Sequence, residues 1–236
     1  MANFGTHATV GAGCGAVLAL NYMATESLMP AIGLGLLCFI GSIAPDVDSK
    51  NAIITKYFFK CLGVSLGLFL CFILKPVLNF LELLPLLGLT VVLTMYIVKP
   101  IFFKFTRHRG IFHSIPMALL LALSIGYAFK VTNQYHVLFI TINGYSKAFI
   151  FRIISSFFIG YMVHLTLDEL YSIMGMKKSL GTAMTIFNFK KPWPYMAVWA
   201  ATITIGLFIW ESSYTENLMY VTSACKWVAT QVQHLI

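Results

Sequence analysis

AFIFRIISSFFIGYMVHLTLDEL, residues 148–170, is long enough to cross a membrane as a helix, yet it carries His164 and Asp168 in its final third. A helix needs about 20 predominantly apolar residues to span a hydrocarbon core of roughly 30 Å. An ionisable side chain within such a segment costs about 2.5 to 3.5 kcal/mol on insertion scales, so it requires a partner or a role. His164 and Asp168 are four residues apart, which places them on one helix face within reach of a common ion. The plain alternative for His164 alone is a neutral imidazole bonded to a neighbouring helix carbonyl. Arg152 marks the opposite end of the same run.

Six more apolar runs surround this one: Ala8–Ala24, Leu28–Ala44, a third ending at Leu74, Val77–Val98, Ile115–Phe129 and Tyr195–Trp210. Hydrophobic residues make up 59% of the chain and charged residues 10%, against roughly 25% charged in a soluble domain. Mean hydropathy is +0.84. These values exclude an ordinary soluble domain and predict an all-α, polytopic membrane helical bundle of about seven transmembrane or membrane-embedded helices. Residues 1–212 form its single domain, and 213–236 an amphipathic tail. The first run is rich in Gly and Ala, as suits a helix packed closely against its neighbours. It lacks the basic flank of a signal peptide, so it is expected to be retained. Pro45 predicts an extended turn bearing Asp46 and Asp48, because a residue before proline is pushed out of helical geometry. The fourth run contains Asn79, Glu82 and Pro85 and is expected either to kink or to lie partly at the interface, ending at Lys99-Pro100. Glu82 stands apart from every polar cluster, as a cap or a snorkelling group.

The net charge of +8 does not indicate nucleic acid, because the basic residues sit at the ends of apolar runs and form no contiguous block. They report topology instead. Loops after the second, fourth and sixth runs hold Lys50, Lys56, Lys60, Lys99, Lys104, Arg107, Arg109, Lys177, Lys178, Lys190 and Lys191. The opposite side holds Lys75, Lys130, Lys147, Arg152 and Lys226. The positive-inside rule assigns the richer side, with the N-terminus, to the cytoplasm. Cys14, Cys38, Cys61, Cys71 and Cys225 have neither metal-ligand nor disulfide spacing and read as small hydrophobes.

The same sidedness collects the polar clusters. His7 precedes the first run, Pro45-Asp46-Val47-Asp48 follows the second, His108-Arg109-Gly110-Ile111-Phe112-His113-Ser114 follows the fourth, and His164 with Asp168 ends the sixth. Four histidines with two or three carboxylates form a nitrogen and oxygen donor set suited to Zn²⁺, and also to Mn²⁺ or Fe²⁺. Carboxylates are able to bridge two metals. Asp46 and Asp48 also fit a solvated turn. Arg109 reads either as a topology charge or as a guanidinium that grips a phosphate with two parallel hydrogen bonds. His136 and His234 lie away from these clusters.

In this order the motifs resemble the LexA-regulated inner-membrane metal-dependent hydrolase family of bacteria, itself distantly similar to zinc phospholipase C. The resemblance runs from His7 to about Ala183 and includes His164-Leu165-Thr166-Leu167-Asp168-Glu169 and Lys178-Ser179-Leu180-Gly181-Thr182. It implies a helical scaffold in the bacterial inner membrane, bound metal and phosphoester cleavage. Phe112 departs from the family pattern, in which a small residue or threonine is common.

The resulting expectation is a hydrolase acting on a membrane lipid or lipid-linked phosphoester or ester at the cytoplasmic leaflet. His7, Asp46, His113, His164 and Asp168 are its expected ligands for one or two divalent ions, Zn²⁺ foremost, with Mn, Fe or Mg as alternatives. Asp48 is expected to bridge metals or to stand just behind a ligand. His108 is the acid for the leaving oxygen, and Arg109 steadies the phosphate. The competing expectation is a transporter relaying ions or protons through the His/Asp cluster. A haem carrier would need axial histidines deep on facing helices.

Overall fold

The computed structural model describes residues 3–50, 52–74, 78–106, 110–134, 146–174 and 184–210. Helices α1 (Phe4–Tyr22), α2 (Leu28–Ile43), α3 (Ile53–Leu74), α4 (Phe80–Leu93), α5 (Lys99–Phe105), α6 (Ile115–Gln134) and α7 (Lys147–Met174) are followed by α8 (Pro192–Trp210). No strand occurs among the described residues, apart from an isolated bridge between Ser114 and Thr185. The expected all-helical bundle is therefore what the chain forms.

Three local expectations are corrected. Helix α1 begins before the first apolar run, because the Asn3 side chain accepts the Thr6 backbone N–H at 2.8 Å and caps it. His7 consequently lies inside the helix. The Pro45 segment is a 3₁₀ turn, Ala44–Asp48, in place of an extended one. Proline near the start of a helical turn loses only an N–H that would have no partner, and its fixed φ suits the geometry. Finally, the fourth run continues past Pro100. A π turn at Thr94–Val98 joins α4 to α5, with the Lys99 N–H bonded to the Thr94 carbonyl five residues back. That register shift lets the rod absorb a proline it would otherwise have ended at. Asn79 and Glu82 start α4 as a reciprocal capping box, which gives Glu82 the capping role.

Five stretches among the described residues are long and apolar enough to cross a membrane: Leu28–Asp48, Ile53–Cys71, Phe80–Lys104, Lys147–Met174 and Pro192–Trp210. The apolar part of α6 is shorter, Ile115–Val131. Large apolar side chains such as Leu20, Phe69, Leu81 and Leu207 point outward, where a bilayer would solvate them.

Helices α1, α2 and α7 pack mutually and α6 packs on α7, while α3 pairs with α4 and joins the rest at the 3₁₀ turn. Glycine sets these distances. A Cβ on Gly15 would stand 2.4 Å from the Gly35 carbonyl oxygen, and one on Gly160 only 1.8 Å from that of Cys38. The close packing predicted for the first run is thus present, and it extends to the α2–α7 crossing. Val198 of α8 joins a core cluster with Met117, Ala118 and Ala122 of α6 and Phe157, Tyr161 and Leu165 of α7. At the end of the bundle remote from His164, Arg152 pairs with Glu26 and lies over the Tyr22 ring. Twelve residues of α7 separate Arg152 from His164, or about 18 Å at 1.5 Å per residue.

Candidate metal centre

Each polar residue of the centre is delivered by a short structural device. The buried stripe of α1 is His7, Gly11 and Gly15, at spacing four, so close helix packing carries the imidazole inward. The buried stripe of α7 runs through Phe157, Tyr161, His164, Leu165 and Asp168. Asp46 and Asp48 sit on the 3₁₀ turn, and the Thr55 hydroxyl of α3 anchors that turn by donating to the Ser49 carbonyl at 2.7 Å. His113 lies in the tight turn before α6, where its N–H bonds to the Gly110 carbonyl at 3.1 Å.

Six of the eight residues expected from sequence therefore meet. His7, Asp48, His113, His164 and Asp168 are at most 2% exposed. The Asp46 side chain retains 14%, so the cluster opens on the Asp46 side. Asp168 is central: one carboxylate oxygen lies 3.3 Å from His7 Nε2, and the other 3.7 Å from His113 Nε2 and 4.0 Å from His164 Nε2. His164 Nε2 is also 3.8 Å from Asp46 Oδ1. The His7 and His164 rings stack with centroids 3.8 Å apart. His108 and Arg109 lie outside the described residues, as do His136, His234 and the Lys178–Thr182 segment.

These separations suit ligands better than hydrogen-bonded partners. A charge-assisted N–H···O bond is about 2.7 to 2.9 Å long. Donor atoms at two corners of a tetrahedron with bonds of about 2.0 to 2.2 Å are about 3.4 Å apart. His7 Nδ1 and His164 Nε2 are buried and make no hydrogen bond. A buried polar atom without a partner costs roughly 1 to 3 kcal/mol, and an ion removes that cost.

Ring orientation is set from behind. His164 Nδ1 lies 2.7 Å from the Ser42 carbonyl, which only accepts, so Nδ1 carries the proton and Nε2 offers its lone pair to the centre. His113 Nδ1 faces Asp48 Oδ2 at 3.3 Å, which turns its Nε2 towards Asp168 in the same way. Asp48 thus stands behind the His113 imidazole, on the side of the ring away from Asp168. Among the described residues, two groups have the spacing to hold an ion: His7, His164 and Asp168, and Asp46, His113 and His164. An imidazole nitrogen has one lone pair, so His164 cannot serve two ions at once.

Sequence reasoning missed the Ser42 carbonyl, the Thr55 hydroxyl and Tyr161. The first is a backbone group and leaves no mark in the sequence. Tyr161 was discoverable, since it lies one turn before His164 on the same face.

A family model described as YdjM inner membrane protein matches residues 1–235. No curated protein and no solved structure matches the chain.

Proposed function

The chain belongs to the YdjM inner membrane protein family, and from that premise we propose that it is a membrane-embedded, metal-dependent hydrolase. Its substrate is a phosphoester or ester of a membrane lipid or lipid-linked molecule, reached from the cytoplasmic leaflet. The observation that carries this reading is the convergence of three buried imidazoles and the Asp46 and Asp168 carboxylates at one end of membrane-length helices. Burying such a set is costly unless an ion is bound. The resemblance of its motif order to that of LexA-regulated metal-dependent hydrolases supports the same class.

Asp46, His113 and His164, or His7, His164 and Asp168, would hold the ion, Zn²⁺ foremost, since these are the two groups with the spacing for it. A divalent ion bound there would supply Lewis-acid chemistry, lowering the pKa of a water and polarising a phosphoryl or carbonyl oxygen. The protein side chains do the rest. The Ser42 carbonyl and Asp48 hold His164 and His113 in the orientation that presents Nε2. Partly exposed Asp46 marks the side from which substrate enters. Arg109 clamps the phosphate, and His108 donates the proton to the leaving oxygen. The excess of Lys and Arg in the loops on this side supports a cytoplasmic orientation.

A transport path would need polar groups along the membrane, and here the described imidazoles with Asp46, Asp48 and Asp168 gather at one end, with Arg152 and Glu26 paired at the other. Between Arg152 and His164, α7 has no carboxylate, imidazole or amine, and it buries Ile153, Ser156, Phe157, Gly160 and Tyr161. The deciding experiment places purified protein in nanodiscs with phosphate-bearing lipids, adds Zn²⁺ or Mn²⁺, and measures release of water-soluble head group. Metal-dependent release that is lost in His164→Ala supports hydrolysis. Metal uptake into sealed vesicles, with no lipid cleaved, would replace this reading with transport.

A further inference from the structure

We propose that Tyr161 is a positioning residue for the centre: its hydroxyl fixes the His113 turn to the helix that carries His164 and Asp168. This inference rests on the metal reading above. Tyr161 is fully buried, on the same stripe as His164 and one turn before it. Its hydroxyl donates to the backbone carbonyl of Phe112, the residue immediately before His113. His113 reaches the centre from a turn, whereas His164 and Asp168 stand on a rigid helix. The three must nevertheless bring ring nitrogens and carboxylate oxygens to within 4.0 Å.

Phe112 is clasped from both sides. Its carbonyl is held by Tyr161, and its ring packs edge-on against Phe102 of α5 with centroids 5.3 Å apart. Phe102 in turn meets Phe59 of α3 at 5.3 Å. The bulky side chain at this position therefore couples the α3–α5 unit to the His113 turn, and the Tyr161 bond sets the depth of that turn against α7. Without the hydroxyl, the Phe112 carbonyl loses this donor, and the turn is free to relax towards the aromatic side, drawing His113 Nε2 away from Asp168. A shift of a few tenths of an ångström matters to a coordination bond and little to apolar packing.

The test is Tyr161→Phe, which keeps the ring and removes only the hydroxyl. Metal-free protein in detergent is titrated with Co²⁺, whose visible ligand-field bands report coordination geometry. We expect cobalt to bind about 10- to 100-fold more weakly than to wild type, the cost typical of losing a group that orients a ligand, with the visible bands displaced. The melting temperature of the metal-free variant should fall by only a few degrees. A role confined to packing would lower that temperature and leave the affinity and the bands unchanged. Wild-type affinity and bands in Tyr161→Phe would overturn the positioning role alone. A wild-type protein that takes up no cobalt would overturn the metal reading and this inference with it. If Tyr161→Phe is not recovered folded, 3-fluorotyrosine at position 161 alters donor strength at nearly constant shape. Displaced bands then support the role, and unchanged bands overturn it.

Discussion

Replacing His164 with alanine removes the one imidazole common to both ligand groups, and its consequence can be worked through. Four-ligand zinc sites bind with apparent free energies of about 10 to 16 kcal/mol, or about 2.5 to 4 kcal/mol per ligand if shared evenly. At about 1.4 kcal/mol per tenfold, His164→Ala should weaken binding by about two to three orders of magnitude. With Zn²⁺ at 100 times the wild-type Kd, ligand linkage stabilises the wild type by about 2.7 kcal/mol; after a 100-fold loss, the same zinc gives about 0.4 kcal/mol. The difference, about 2.3 kcal/mol, corresponds to roughly 5 to 9 °C for a chain of this size. The assay is thermal unfolding in detergent with and without zinc, alongside elemental analysis. Wild type should gain about 5 to 11 °C on zinc addition, and His164→Ala about 1 to 2 °C. Equal zinc-induced shifts in the two proteins, or no shift and no metal in wild type, would refute the reasoning that this cluster is a metal centre.

Other expectations follow from the same geometry. A cysteine placed at Thr106, beside the loop that leads to His113, should resist an impermeant thiol reagent added outside intact cells; labelling would reverse the orientation. Arg109→Ala and Arg109→Lys should both retain metal while losing cleavage of a phosphate-bearing lipid, because an ammonium cannot reproduce a two-bond grip. Full activity in both variants would make Arg109 a topology charge and favour carboxylic ester chemistry. Gly160→Ala should destabilise the bundle by about 1 to 3 kcal/mol, read as a lower melting temperature, since its Cβ would stand 1.8 Å from the Cys38 carbonyl oxygen. Gly13→Ala, whose Cβ meets nothing within 4 Å, should leave that temperature nearly unchanged or raise it.

The sequence alone determined the bundle and pointed to six residues that the fold brings together. Apolar length is a one-dimensional property, and the hydrocarbon layer that selects it admits little besides helices, so the runs were legible without contacts. The polar residues were legible for a related reason: within apolar runs, His164 and Asp168 stand out because burying them is expensive. Alternation of the chain across the membrane then placed His7, Asp46, Asp48 and His113 on the same side. Local backbone choices were less legible. The 3₁₀ turn at Ala44–Asp48 and the π turn before Pro100 each reflect how proline is accommodated by the carbonyls around it, and that depends on neighbours in space. Only the tertiary structure decided which nitrogen of each imidazole faces the centre. It does so through the Ser42 carbonyl and Asp48, which lie 122 and 65 residues from the rings they orient. It alone set Asp168 between three histidines and gave Tyr161 its hold on the Phe112 carbonyl, because coordination and hydrogen bonding depend on directions and tenths of an ångström. Residue type and spacing along a chain do not encode those distances until α1, α2 and α7 close upon one another at Gly15, Gly35 and Gly160.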